Sequence, residues 1–242
     1  MSVITRDLFL YLSNNKTLNR AAQNWGANIA SGKIVGGMDF PSSIKFIKEL
    51  NNEGLSVTVD HLGEFVRSEA VARERTEECI QTIETIVAQQ LDSHVSLKLT
   101  SLGLDISKNL VYENMTKIME SAEKNQVMVT IDMEDEQRCQ DTLSIFKDLK
   151  TDYHYISTVL QAYLYRTEKD LDELSSYQPF LRLVKGAYKE SPKVAFPEKE
   201  DVDNNYKKLI KKHLLNGHYA GIATHDDAII EYTKKLAEHK ES

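Results

Sequence analysis

Leu181-Arg182-Leu183-Val184-Lys185-Gly186-Ala187-Tyr188 reads as a short buried strand that brings two cations and a glycine to one point. Apolar residues bracket Arg182, and a strand that buries an arginine needs an anion or an electron-rich partner there. Gly186, at the strand's end, admits close approach of a ligand to the backbone. The stretch predicts a binding site built on strand tips.

Outward from it, apolar strand-like runs alternate with amphipathic stretches. The strand candidates are Leu55–Val59, Val95–Leu99, Val127–Ile131, Ile156–Gln161, Leu181–Lys185 and Tyr219–Ala223. Most are rich in Val, Ile or Leu, as expected of parallel strands covered on both faces. Between them, Cys79, Ile80, Ile83, Ile86 and Val87 form one helical stripe. Leu110, Val111, Met115, Ile118 and Met119 form another, with Ser107 as N-cap. Tyr206, Leu209, Ile210 and Leu214 form a third, closed by Asn216-Gly217. This order predicts a parallel α/β fold.

An open doubly wound sheet and a (β/α)8 TIM barrel both have this order. Every strand candidate ends on chemical groups: Asp60 and Glu64, Lys98 and Thr100, Asp132 and Glu134, Gln161, Lys185, then Thr224 and His225. A barrel brings all strand tips to one mouth, whereas an open sheet concentrates function at one switch point. No GxGxxG follows the first strand, so the barrel is the expectation. Residues 55–242 supply about six of its eight βα units. The expectation is therefore a truncated barrel over 55–242, preceded by a helical segment over 1–54.

The chain has 242 residues, 41% hydrophobic and 28% charged, which suits one soluble domain with at most a small extension. A net charge of −7 weighs against nucleic acid as the main partner. Cys79 and Cys139 lack metal-type spacing and read as reduced cytosolic thiols. No apolar run reaches membrane-spanning length and Met1–Asn15 lacks a signal-peptide layout. A cytoplasmic location follows as the expectation, with peripheral contact at the inner membrane face left open.

Alternation in Val95-Ser96-Leu97-Lys98-Leu99-Thr100 puts Ser96, Lys98 and Thr100 on one face, so Lys98 should point into the barrel. Asp132 follows its strand directly; it is either a site carboxylate or the N-cap of the next helix. Gln161 either hydrogen-bonds a ligand's ring edge or satisfies backbone. Thr224-His225-Asp226 is either an ordinary N-cap or, through His225, a phosphate donor. Lys98, Arg182 and Lys185 against Asp132 alone favour an anionic ligand with a planar, electron-poor ring. No nucleophile–base pair and no His/Cys cluster for a metal stands out. Cofactor-borne redox chemistry therefore fits better than hydrolysis. A Schiff-base lyase or aldolase using Lys98 or Lys185 is the alternative enzyme, and a non-catalytic barrel remnant acting as a binding module is the alternative outside enzymes.

Six segments, in order and one per strand, resemble the proline dehydrogenase family. They are Asp60-His61-Leu62-Gly63-Glu64, Ser96–Thr100, Ile131-Asp132-Met133-Glu134, Leu160–Thr167, Arg182–Tyr188 and Ala223-Thr224-His225-Asp226. The resemblance implies a distorted TIM barrel with FAD across its mouth. It implies oxidation of L-proline to Δ1-pyrroline-5-carboxylate, with electrons passed to a membrane quinone. It places Lys98 on the proline carboxylate, Asp132 in the active site and Arg182 near the reactive edge of the flavin. Met133, Gln161, Val184, Lys185, Gly186, Ala187, Thr224 and His225 would hold FAD. The family continues with two more strands and a helix bearing an arginine pair that grips the carboxylate. That segment is not found here, which is why activity of this chain is an open expectation.

Overall fold

The structure, a computed structural model, describes residues 40–60 and 63–238. Most of the helical segment expected over 1–54 lies outside them, as do His61 and Leu62. The chain divides into two units, Met1–Val57 and Thr58–Ser242. The described part of the first holds helix α1 (Phe40–Asn52), with Ile47 buried.

The second unit winds strands and helices in alternation. Strand β1 (Val57–Asp60) is followed by α2 (Glu69–Ala88), β2 (Ser93–Leu97), a 3-10 turn (Leu99–Leu102) and α3 (Lys108–Asn125). Then come β3 (Val129–Ile131), α4 (Glu136–Lys150), β4 (Ile156–Gln161), α5 (Thr167–Ser175), β5 (Leu181–Val184), α6 (Lys199–Leu215), β6 (Ala220–Ala223) and α7 (Asp227–Glu238). The strands lie in one sheet in sequence order, and β2 to β6 pair in parallel. A doubly wound sheet would reverse that order at a switch point, so the winding is that of a TIM barrel.

The sheet also curls. Three strand intervals separate β2 from β5, about 14 Å in a flat sheet. Yet Arg182 Nη2 on β5 donates to Ser96 Oγ on β2 at 3.1 Å. The inward faces of the strands therefore converge, as a closing barrel requires.

The outward faces carry the core. Leu181 and Leu183 are buried under the helices while Arg182 and Val184 are partly exposed on the inner side. The α2 stripe is Ala72, Thr76, Cys79, Ile83 and Ile86, spaced by three or four residues. Val87, expected in it, is exposed. The α3 stripe buries Leu110, Val111, Met115, Ile118 and Met119 as its spacing predicts. Each such side chain contributes about 1.5–3 kcal/mol of burial free energy. Buried Tyr206 of α6 also donates its hydroxyl to Leu183 O at 2.6 Å, fastening helix to strand. Gly217, at φ +83, follows the Asn216 C-cap of α6.

Several strand limits differ from the sequence reading for identifiable reasons. Leu55 N bonds back to Leu50 O, and Val127 N to Ala122 O, so the preceding helix's last turn takes both residues. β2 stops at Leu97 because the chain turns into the 3-10 helix right after Lys98. Thr100 therefore leaves the alternation with Ser96 and Lys98. The N-cap of α4 is Asp135, not Asp132.

Candidate active site

The inner face of the sheet ends in a charged network. Lys98 and Asp132 each stand one residue past a strand, with Asp132 N bonded to Leu97 O at 2.8 Å. Lys98 Nζ donates to Asp132 Oδ2 at 3.1 Å and to Asp60 Oδ2 at 3.0 Å. Ser96 Oγ donates to Asp132 Oδ1 at 2.6 Å, and Arg182 Nη2 donates to the same oxygen. Burial pulls the Lys98 pKa down, but the charges of Asp132 and Asp60 outweigh it and the net direction is up. Lys98 is thus a fixed ammonium at neutral pH. The anion that Arg182 demands is, in the first place, Asp132.

Arg182 and Lys185 do not meet at one point. Both border one cavity, but their partners differ: Arg182 binds Asp132, while Lys185, one residue past the strand, is held elsewhere. Lys185 Nζ turns to Asp203 Oδ1 of α6 at 2.5 Å and to Asp226 Oδ2 at 2.6 Å. Lys199 reaches both of those carboxylates. For Asp226, the hydrogen bond from Lys185 leads in holding the carboxyl well below the usual range. The cationic surplus expected from sequence is therefore smaller in the structure, because Asp60, Asp203 and Asp226 offset it.

A cavity of about 550 Å3 opens at these tips. Lys98, Asp132, Met133, Gln161, Arg182, Val184, Lys185, Gly186, Ala187 and Thr224 all line it, and of the residues expected there His225 alone does not. His225 is exposed. Gln161 donates Nε2 to Glu134 O at 2.7 Å, the backbone role weighed for it, while still lining the cavity. A second cavity, of about 480 Å3, lies at the opposite, N-terminal ends of the strands. The C-terminal ends are where such barrels place chemistry.

Gly186 has an internal reason to be glycine. Its φ is +123, and a Cβ there would lie 2.2 Å from Tyr163 Cδ1. The glycine expected to admit a ligand is thus fixed first by the Tyr163 ring packed against it.

Sequence reading set Glu64 and Glu134 at the strand tips without giving them a role, and did not place Ser96, Tyr188 or Asp203 in the site. Glu64 and Tyr188 line the cavity, and Tyr188 donates its hydroxyl to Glu64 Oε1 at 3.2 Å across 124 positions. Ser96 was signalled by its alternation with Lys98. Asp203 sits in a solvated-looking run of α6, and nothing local marks it.

The cavity's donor set fits an anionic ligand with a flat apolar ring. Met133, Val159, Val184 and Ala187 give apolar walls, and Arg182 supplies a cation among them. Lys185 and Thr224 line the cavity beside the N-terminal end of α7, where Asp226 Oδ1 already accepts Ala228 N.

A family model described as proline dehydrogenase matches residues 43–242. The chain is 72% identical over 235 residues to proline dehydrogenase 2 of Bacillus subtilis subsp. natto, covering 97% of this chain and 77% of that one. It is 35% identical over 236 residues to a proline dehydrogenase of Deinococcus radiodurans, covering 96% and 76%. Among solved structures, proline utilization A from Bdellovibrio bacteriovorus superposes with a TM-score of 0.80 at 22% identity. That match covers 86% of this chain but only 27% of the other, and it supports the barrel fold alone.

Proposed function

The chain belongs to the proline dehydrogenase family, and we propose that it oxidises L-proline to Δ1-pyrroline-5-carboxylate with FAD, which passes the electrons to a quinone. The observation that carries this reading is the Lys98–Asp132–Arg182 network at the floor of an otherwise largely apolar cavity. FAD, when bound, supplies the acceptor for the hydride lost from the ring carbon beside proline's nitrogen, as that nitrogen sheds a proton and a C=N bond forms.

The chain's own residues bind and orient. An ammonium has three N–H donors. Lys98 spends two on Asp60 and Asp132, and the third remains for the substrate carboxylate in a charge-assisted bond. Asp132, shared between Lys98 and Arg182, fixes the distance between the two cations. Arg182 sets a guanidinium where it offsets negative charge building up on the acceptor. Met133, Gln161, Val184, Lys185, Gly186, Ala187, Thr224 and His225 would hold the cofactor. A quinone acceptor places the protein at the cytoplasmic face of a membrane. No helix among the described residues is long and apolar enough to cross one.

A Schiff-base lysine must be neutral to attack a carbonyl. The raised pKa of Lys98 and the twin carboxylates on Lys185 work against that alternative.

The test is to load the purified protein with FAD, record its visible absorbance, and add L-proline without oxygen. Bleaching of the flavin band by L-proline is expected. A colourless protein that instead traps a carbonyl substrate on borohydride treatment would replace this reading with the lyase.

A further inference from the structure

We propose that Glu134 is the positioning residue of this site: its buried carboxylate fixes Thr100, and through Thr100 the turn that holds Lys98 against Asp132. The proposal rests on the reading of Lys98 as the substrate-carboxylate ligand.

The backbone ladder between β2 and β3 ends at the Leu97–Ile131 pair. Past it, one backbone bond remains, from Asp132 N to Leu97 O, and beyond that the two chains are joined by two rungs that use side chains, two residues apart. The first is Lys98 to Asp132, at 3.1 Å. The second is Thr100 to Glu134: Thr100 N donates to Glu134 Oε1 at 3.1 Å, and Thr100 Oγ1 donates to Glu134 Oε2. The first rung faces the cavity. Both members of the second are fully buried.

A carboxylate is costly in such a place without a cation. The bonds to Glu134's oxygens come from Thr100, a neutral residue. Burial pushes the Glu134 carboxyl up; the Thr100 bonds pull against it, the charge of Glu64 adds to the rise and that of Arg138 opposes it.

The geometry explains why an acid stands here. Thr100 Oγ1 already accepts Phe65 N–H at 3.1 Å, so its own proton must go to an acceptor. Thr100 N–H needs a second acceptor. One side chain therefore accepts twice from one residue, and a carboxylate does so with a separate oxygen for each donor. A glutamine would turn an NH2 toward the hydroxyl and leave the hydroxyl proton without its acceptor.

The same junction gathers its neighbours. Thr100 O accepts Val66 N at 3.1 Å, and Gln161 Nε2 donates to Glu134 O at 2.7 Å. Lys98 O accepts Ser101 N at 3.1 Å and Ser101 Oγ at 2.6 Å, so the turn locks immediately behind the lysine. Thr100 thus anchors one end of a short turn whose other end carries the ammonium.

The experiment is a mutant cycle on the FAD-loaded enzyme, reading KM and kcat for L-proline together with flavin content. Glu134→Gln and Thr100→Val each lose one bond of the second rung and should raise KM about tenfold, with flavin content retained. Thr100→Ser keeps both donors and should restore near-normal KM. In a Lys98→Met background, neither Glu134→Gln nor Thr100→Val should lower kcat/KM further. If Glu134→Gln does not fold, the Thr100 series alone decides. Additive losses in the Lys98→Met background, or an unchanged KM in Thr100→Val, would overturn the proposal while leaving the Lys98 reading intact. An unchanged KM in Lys98→Met itself would overturn that reading, and the positioning role with it.

Discussion

Replacing Lys98 by methionine removes one charge and keeps most of the side chain's bulk. Two ion pairs go with it, to Asp132 at 3.1 Å and to Asp60 at 3.0 Å. The Asp60 side chain is 35% exposed, so that pair is worth little, toward the 0–1 kcal/mol typical of surface pairs. The Asp132 pair contributes more, because its side chains are only 15% and 14% exposed. No carboxylate is stranded, because Asp132 keeps Arg182 and Ser96. The expected cost is about 2 kcal/mol, or a fall of roughly 4–8 °C in Tm for a chain this size. Sequence reasoning alone, blind to the ion pairs, would put it nearer 1 kcal/mol. Losing the third N–H from the substrate carboxylate should raise KM for L-proline about 10- to 100-fold. The alkaline limb gives an independent check. A lysine whose folded pKa is raised stabilises fully below its unfolded value of 10.5 and loses that contribution as pH rises through the folded value. The stability gap between wild type and Lys98→Met should therefore be constant below pH 10.5 and narrow above it. Thermal melts from neutral to alkaline pH, with steady-state kinetics at neutral pH, measure both effects. A lowered Tm with an unchanged KM would refute the substrate role and leave Lys98 as a structural ion-pair partner.

Arg182→Ala should lower flavin content or slow flavin reduction by L-proline; stopped-flow absorbance that matches wild type in both would remove Arg182 from the site. Gly186→Ala places a Cβ 2.2 Å from Tyr163 Cδ1 at φ +123, so urea unfolding should show a loss of about 2–4 kcal/mol. An unchanged urea midpoint would mean that the Tyr163 ring swings away freely. Asp203 is raised by burial, but its bonds from Lys185 and Lys199 outweigh this and hold it below 3.8. A depressed carboxyl stabilises above its unfolded value and loses that contribution as pH falls through the folded one. Asp203→Asn should therefore flatten the acid limb of stability below about pH 4, and an acid titration by circular dichroism identical to wild type would contradict the Lys185 clamp.

What could be read from the sequence follows from what is local. Ile156–Gln161 matches its strand end to end because every residue in it is buried and β-formers dominate. The inward turn of Arg182 follows from period-2 alternation within its strand, and that of Lys98 continues the same alternation one residue past β2. The partners of those cations do not. Asp132 is 50 positions from Arg182, and Asp203 is 18 from Lys185. Only the curl of the sheet and the docking of α6 bring them together. Strand ends were misread wherever a helix's last turn claimed the first apolar residue, as at Leu55 and Val127. Periodicity carries no record of that competition.

The most consequential misreading was the smallest. Continuing the alternation from Ser96 through Lys98 to Thr100 treats the strand as ending where its hydrophobic pattern ends. In the structure it ends two residues sooner, at Leu97, where the chain turns into the 3-10 helix and a buried acid from the neighbouring strand's tip accepts two bonds from Thr100. Beyond that point backbone pairing no longer sets side-chain direction, and side-chain rungs do. Lys98, Asp132 and Lys185 each lie just past the last residue of a strand. Asp132 and Lys185 each keep one backbone bond to a neighbouring strand, and all three side chains are aimed by named partners. A barrel mouth built this way keeps its core packing while its chemistry is adjusted, since the apolar outward residues Leu97, Ile131 and Leu183 hold the sheet whatever stands one step beyond them. It follows that substitutions of the partners Thr100, Glu134, Asp203 and Asp226 should change affinity and pH response more than they change whether the barrel folds.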